Sequence, residues 1–209
     1  MTIEYWNKTH TEKYSKADWA YKPSIFATQA IKFFPKTGKL LEIGTGQGGD
    51  ADYFQSLGYE VTATDYSDEA LRNAGERVKN VNFINLDTSQ GLPFDDESFD
   101  VVYSHMALHY FDSQTTAQVF KDIHRVLKSR GIFATITNTM NDPEKKDGNY
   151  IELESDYYED TKSIKKRYFS VESLRNFTRD LFKPLLLDAE GKTYKDPDPD
   201  LIRFIGRKV

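Results

Sequence analysis

The chain has no cysteine. A disulfide framework, a thiolate metal centre and a cysteine nucleophile are therefore excluded. Histidine is scarce as well. The four present are scattered without the spacing of a metal motif, and no metal is expected. Long apolar runs are missing, so no segment offers the about 20 apolar residues of a membrane-spanning helix. The opening Met1-Thr2-Ile3-Glu4-Tyr5-Trp6 lacks the apolar core of a secretion signal. These absences predict a cytoplasmic chain with no membrane partner. Excess basic charge is missing too, with 28 Lys and Arg against 33 Asp and Glu, a net charge of −5. Sequence-independent nucleic-acid binding needs many phosphate-neutralising cations on one surface, so nucleic acid is not an expected partner. The densest basic cluster, Lys165-Lys166-Arg167, reads as a solvated face.

What the chain does have is a glycine-rich turn. Leu40-Leu41-Glu42-Ile43 is an apolar strand that runs into Gly44-Thr45-Gly46-Gln47-Gly48-Gly49, and a helix pattern follows. Glycines at a strand-to-helix turn let the backbone approach a ligand where a Cβ would collide. Two cofactors compete for this turn. It satisfies the dinucleotide pattern G-x-G-x-x-G, with Asp65 about 20 residues on. The charges favour the other reading. Glu42 precedes the turn, and Asp50 and Asp52 fall in or near the first turn of the helix. A pyrophosphate wants that helix end free and positive. S-adenosylmethionine (SAM) carries no phosphate but an ammonium and a sulfonium, which suit acidic surroundings. A P-loop is excluded, because no Gly-Lys-Ser/Thr follows the glycines.

Along the chain, short apolar runs alternate with amphipathic segments. Residues 1–20 are polar and aromatic, and Pro23 opens a helical pattern through Ile25, Phe26, Ala30, Ile31 and Phe33. Strands are predicted at Lys39–Ile43, Glu60–Thr64, Val81–Leu86, Phe99–Ser104, Gly131–Thr137, Lys183–Asp188 and Leu201–Gly206. Helices are predicted at Gly49–Leu57, at Asp68–Val78 with Ser67 as its cap, near Gln114–Leu127 and at Ser170–Leu181. Strand and helix alternating at this spacing means a parallel sheet wrapped on both faces. Asn138–Arg167 breaks the rhythm, as a lid on the ligand side or a mobile surface loop. Asp196-Pro197-Asp198-Pro199 marks a tight connection between the last two strands. Residues 1–209 read as one domain, with 1–35 a helical lid and 36–209 a catalytic core whose insertion lies near 138–168.

In this order and spacing the motifs resemble the class I SAM-dependent methyltransferases, from about Gly38 onward. Within them the pattern is most similar to the type 11 and tellurite-resistance-like small-molecule groups. The acid followed by G-x-G-x-G reads as Glu42, Gly44, Gly46 and Gly48. The second-strand acid reads as Asp65, the third-strand polar motif as Asp87-Thr88, and the loop before strand 4 as Leu92–Val102. Ser104-His105-Met106-Ala107-Leu108-His109-Tyr110 follows. The resemblance implies an α/β, Rossmann-like, doubly wound and mostly parallel seven-stranded sheet, with the last strand antiparallel. It also implies cofactor binding by Glu42, Gly44, Thr45, Gly46, Gly48, Asp65, Tyr66, Asp87, Thr88 and Ser104. Asp65 has two oxygens for the two ribose hydroxyls, or else it is a helix N-terminal acid serving the macrodipole. Tyr66 packs on adenine or in the core. Asp87 accepts the adenine amino hydrogen or serves as a turn acid.

Methyl transfer is an in-line displacement at a sulfonium, where proximity and orientation supply potentially ~7–11 kcal/mol. A soft nucleophile needs no base, whereas a hydroxyl acceptor needs one. His105 and His109 are the nearest candidates, and packing roles are the alternative. Tyr14, Trp19 and Tyr110 suit a pocket around the cationic methyl donor, and core packing accounts for them equally well. The function read here is methyl transfer from SAM to a small molecule by a monomer or homodimer. The alternatives are an NAD-dependent oxidoreductase, for which no Tyr-x-x-x-Lys dyad can be placed, and a non-catalytic SAM-binding regulator.

Overall fold

The structure is a computed structural model that describes residues 2–142, 145, 148–192 and 201–209. Two N-terminal helices, α1 (Ile3–Glu12) and α2 (Ile25–Ala30), precede β1 (Lys39–Ile43). There follow α3 (Gly49–Ser56), β2 (Glu60–Asp65), α4 (Asp68–Arg77), β3 (Asn82–Asn85), β4 (Phe99–His105), α5 (Ser113–Val126) and β5 (Leu127–Thr137). Three short strands come next, β6 (Tyr150–Glu154), β7 (Tyr157–Asp160) and β8 (Lys165–Arg167). The chain closes with α6 (Val171–Thr178), β9 (Phe182–Gly191) and β10 (Leu201–Lys208).

The main sheet has seven strands in the order β3-β2-β1-β4-β5-β10-β9. β1 pairs in parallel with both β2 and β4, so the strand order reverses between them. That reversal opens a crevice at the carboxyl ends of β1 and β4, where ligands bind in open α/β sheets. β10 runs antiparallel to both β5 and β9, as the sequence predicts for the last strand.

Strands buried on both faces read as continuous apolar runs. Leu41, Ile43 and Val102 point to one face, where Phe120, Ile123 and Leu174 from α5 and α6 cover them. Leu40, Val101 and Tyr103 point to the other, under Phe26 and Phe54 from α2 and α3. Helix caps follow the expected chemistry. Ser67 Oγ accepts from the Ala70 amide at 3.1 Å, and Ser24 Oγ accepts from the Ala27 amide at 2.9 Å. The latter places the start of α2 at Ile25, two residues after the proline.

Two boundaries and one segment differ from the sequence reading. Leu127 begins β5 rather than ending a helix, because β5 starts earlier than Gly131 and crosses Arg130 at φ 62°. Residues 150–167 are not a surface loop but an antiparallel sheet of three strands, β6-β7-β8. Its anchor is the buried guanidinium of Arg167. That group donates to the carbonyls of Phe111 (3.3 Å) and Ser155 (2.9 Å), to Ser113 Oγ (3.0 Å) and to Glu154. The Asp196–Pro199 connection lies outside the described residues.

Candidate active site

The turn after β1 is fixed by hydrogen bonds that converge on the end of β2. The amides of Gly44 and Thr45 both donate to the Thr64 carbonyl, at 2.8 and 2.9 Å. The Gly46 amide donates to Asp65 Oδ2 at 2.8 Å, and the Ser67 amide donates to Asp65 Oδ1 at 2.9 Å. Asp65 thus holds the glycine turn and the entry to α4 together. Each oxygen keeps a further lone pair for a ligand hydroxyl. Gly44 has φ 76°, and a Cβ there would come within 2.2 Å of the Ala107 Cβ, so only glycine admits the loop after β4 this close.

Carboxyl groups crowd the same spot. Glu42 is 2% exposed and accepts from Thr45 Oγ1 at 2.8 Å. Burial, reinforced by the charges of Asp50 and Asp65, pushes its pKa well above the ordinary carboxyl value. Asp50, in the first turn of α3, accepts from the Ser24 amide (2.5 Å), Ser24 Oγ (2.8 Å) and the Tyr103 hydroxyl (2.7 Å). It ties the N-terminal segment to the sheet. Asp52 sits on the exposed side of α3. At the end of β3, Asp87 Oδ1 accepts from the amide and the hydroxyl of Ser89, at 3.0 and 2.6 Å.

These groups line one end of a cleft of about 660 Å³, within the range of small-molecule sites. Glu42, Gly44, Thr45, Gly46, Asp65, Tyr66, Asp87, Thr88, His105, His109, Tyr14, Trp19 and Tyr110 all face it. Two predicted cofactor residues do not. Ser104 is fully buried and donates from Oγ to the Ile43 carbonyl at 3.0 Å, fastening β4 to β1. Gly48, with φ 81°, lies against Ala74 and Val78, where a Cβ would meet the Ala74 Cβ at 3.0 Å. It lets α3 start close to α4.

The other end of the cleft is built by distant segments. His105 and His109 come from the end of β4 and the loop after it. Burial holds the pKa of His105 below the ordinary imidazole value. Burial, together with the charges of Lys166 and His105, holds that of His109 well below it. Both rings are neutral at pH 7 on this account. Nδ1 of His109 is buried and has no hydrogen-bond partner among the described residues. The Tyr110 ring lies 4.2 Å from the His109 ring.

The sequence places Tyr14 and Trp19 at the pocket, and the structure adds Trp6 and His10 above it. Trp6, His10 and Tyr14 recur at helical spacing, and with Trp19 they form a ladder of rings 5.2–6.1 Å apart over the cleft. Trp6 also meets Tyr110 at 5.1 Å. His10 Nδ1 and Gln47 Nε2 are 3.1 Å apart, which attaches α1 to the glycine turn. Asn7 Oδ1 accepts from Ser67 Oγ at 2.7 Å, attaching α1 to the start of α4 as well. The spacing of Trp6, His10 and Tyr14 was the available signal. The reading of Lys165-Lys166-Arg167 as a solvated face is corrected. Lys165 is exposed, but Lys166 lines the cleft and Arg167 is buried, because β8 packs against the loop after β4. Among the described residues no cluster of His, Asp and Glu is placed to hold a metal ion, and no helix is long and apolar enough to cross a membrane.

A family model described as a methyltransferase domain matches residues 41–135. An uncharacterized methyltransferase of Synechocystis sp. is 32% identical over 98 residues, 47% of this chain and 46% of that protein. Another, from Staphylococcus carnosus, is 29% identical over 150 residues, 69% of each chain. The chain spans less than half the length of several curated relatives it matches. Among solved structures, Burkholderia thailandensis 1,6-didemethyltoxoflavin-N1-methyltransferase, bound to 1,6-didemethyltoxoflavin and S-adenosylhomocysteine, superposes with a TM-score of 0.74. It shares 18% identity, covering 99% of this chain and 86% of that one. Residues 41–135 thus match a methyltransferase domain, and the chain has the Rossmann-like fold seen in SAM-dependent methyltransferases.

Proposed function

We propose that this protein transfers a methyl group from SAM to a small-molecule acceptor. The observation that carries this reading is the ring of carboxyl groups around the glycine turn. Asp50 stands in the first turn of α3, the helix end where a dinucleotide-binding fold seats its pyrophosphate. A carboxylate there repels a diphosphate and suits a ligand with an ammonium and a sulfonium. In the same reading Asp65 takes the ribose hydroxyls, Asp87 the adenine amino group, and Gly44, Thr45 and Gly46 the amino acid end. Tyr66 and Thr88 flank the adenine, and Glu42 orders the turn through Thr45. The sulfonium supplies a methyl group already attached to a good leaving group. The chain's own residues then orient the acceptor, exclude water and, for a hydroxyl, take its proton. On this reading His105 and His109 take the last task, and Tyr14, Trp19 and Tyr110 the first two.

We further propose that residues 1–209 act as one domain, that residues 1–35 serve as a lid, and that the protein works in the cytoplasm as a monomer or homodimer. The toxoflavin-precursor methyltransferase of the same fold supports a small-molecule acceptor in preference to nucleic acid. Titration calorimetry tests the reading. SAM and S-adenosylhomocysteine should bind with one site per chain and NAD should give no heat. NAD binding without a SAM response would sink it. Release of S-adenosylhomocysteine in the presence of acceptor separates the enzyme from a non-catalytic binder.

A further inference from the structure

Away from the glycine turn, the β6-β7-β8 sheet gathers three tyrosines around one ammonium. The antiparallel register sets Glu152 opposite Tyr158, Tyr150 opposite Asp160, and Tyr158 opposite Lys166. Side chains alternate along a strand, so Tyr150, Glu152 and Tyr158 fall on one face. Tyr168, just past β8, joins them there. The rings of Tyr150 and Tyr168 lie 6.3 Å apart at 87°, and those of Tyr158 and Tyr168 lie 6.0 Å apart at 61°. Rings set at such angles form the sides of a box rather than a stack. Nζ of Lys145 stands in the box, 3.5 Å from the centre of the Tyr158 ring, 4.6 Å from that of Tyr150 and 6.0 Å from that of Tyr168. A cation within about 6 Å of a ring centre is drawn to the ring's negative face.

A carboxylate completes the box. The Tyr158 hydroxyl donates to Glu152 Oε1 at 3.2 Å. Burial lowers the pKa of Lys145, and the charge of Glu152 acts against that. Aromatic faces with one acid beside them are the chemistry that recognises alkylated ammonium groups. A primary ammonium is a compact, strongly hydrated charge, whereas methylation weakens its hold on water. The same box therefore suits a methylated cation better than the lysine now in it.

The occupant also reaches the cleft. The Lys145 amide donates to the Asp142 carbonyl at 2.9 Å, and the Asp142 amide donates to the Thr139 carbonyl at 3.0 Å. Asp142 lines the cleft. Asn138 is held separately, since its carbonyl accepts from the Phe169 amide at 3.1 Å.

We propose that the tyrosine box is a binding site for a methylated or quaternary ammonium group, that Lys145 fills it as an internal ligand, and that displacing Lys145 loosens the cleft wall at Asp142. The tether gives Lys145 a high effective concentration in the box, so an external cation must outcompete it. The site is independent of which cofactor the cleft holds.

The test titrates the full chain with tetramethylammonium chloride, with sodium chloride at equal ionic strength as the control, and follows binding by calorimetry. Lys145→Ala empties the box and should bind tetramethylammonium severalfold more tightly than wild type. Adding Tyr158→Leu removes the nearest ring and should abolish that binding, whereas adding Tyr158→Phe keeps the ring and should retain it. Hydrogen exchange reads the link to the cleft. In Lys145→Ala the Asp142 amide should exchange severalfold faster, while those of Ala134 and Ile136 in β5 stay protected. No binding to Lys145→Ala, or binding no tighter than to wild type, overturns the site. Full binding by folded Lys145→Ala/Tyr158→Leu places the cation elsewhere and overturns it too. Unchanged exchange at Asp142 overturns the link to the cleft. None of these readouts involves S-adenosylhomocysteine, so the methyl-transfer reading stands or falls separately.

Discussion

In the half of the cleft formed by β1, β2 and β3, carboxylates do the holding, and they already have partners. Asp65 takes two backbone amides, Asp50 takes Ser24 and Tyr103, and Asp87 takes Ser89. In the half formed by α1, the loop after β4 and β8, most groups are aromatic, neutral or cationic, and Asp142 is the acid beside them. One of them, Nδ1 of His109, has no partner among the described residues. The first half comes from one continuous stretch, residues 42–88. The second draws on residues as far apart as Trp6 and Lys166. A site whose polar groups are satisfied before the ligand arrives is preorganised, and binding to it costs little reordering. A site assembled from separate elements can be disturbed without unfolding the sheet. The acid-lined half is therefore the fixed part of this protein and the aromatic half the adjustable part.

The largest expected effect is on the fixed half. Asp65→Ala should weaken S-adenosylhomocysteine binding at least tenfold, since two charge-assisted hydrogen bonds at about 1.5–3 kcal/mol each are at stake. Calorimetry reads it, and an unchanged dissociation constant would remove Asp65 from the cofactor half. The structure sharpens the expectation for Asp65→Asn. An amide NH₂ would face the Gly46 or Ser67 amide, donor against donor, so Asn should rescue little.

Arg167→Met separates the halves. Removing one partner of a buried ion pair costs about 3–5 kcal/mol, and here three further acceptors lose their donor. Urea denaturation should show that loss, while the surviving folded protein still binds S-adenosylhomocysteine. Loss of cofactor binding in folded protein would mean that the halves are one unit.

A chain starting at Lys22 removes the roof. It keeps Ser24 and its bonds to Asp50, so it should fold. It should lose turnover, because Trp6, Tyr14 and Trp19 no longer exclude water. In the full chain, limited proteolysis near Lys8–Lys16 should slow when SAM binds. Equal cleavage rates and full activity of the shortened protein would refute the lid.

The smallest effects are on pH dependence. His10, His105 and His109 have folded pKa values below the ordinary imidazole value, chiefly through burial. The unfolded chain takes up these protons near pH 6.5 and the folded chain does not, so stability should fall as pH drops below about 6.5. Glu42 works the other way. Its raised pKa means the folded state keeps a proton that the unfolded state loses in the ordinary carboxyl range, so its contribution is lost as pH rises. Glu42→Gln keeps an acceptor for Thr45 and should stabilise the protein at pH 7 by on the order of 1 kcal/mol. Thermal melts between pH 5 and 8 check both signs. An unchanged melting temperature at pH 7 in Glu42→Gln would show that Glu42 is comfortable where it is.

The same contrast explains what the sequence made legible. The glycine turn, Asp65 and Asp87 are local: strand periodicity, a turn and a cap place them, and the structure finds them facing one cleft. Lys166 looked like part of a solvated run, because nothing nearby in sequence shows that Arg167 anchors β8 beside the loop after β4. The strands at 150–167 were read as lid or loop, since Tyr150, Tyr157 and Tyr158 pair only once the chain folds back on itself. His10 was passed over because its partner, Gln47, is far along the chain. Ser104 and Gly48 sit inside motifs that line the cleft, but their side of the backbone faces the protein.

The central claim is that the acid-lined half of the cleft holds the methyl donor. A crystal structure of the protein with S-adenosylhomocysteine tests it most directly. The account predicts the ribose hydroxyls on Asp65, the adenine beside Asp87, and the sulfur turned toward Tyr110 and His109. Density for the ligand away from the Gly44–Gly46 turn, or a ribose that makes no contact with Asp65, would contradict it.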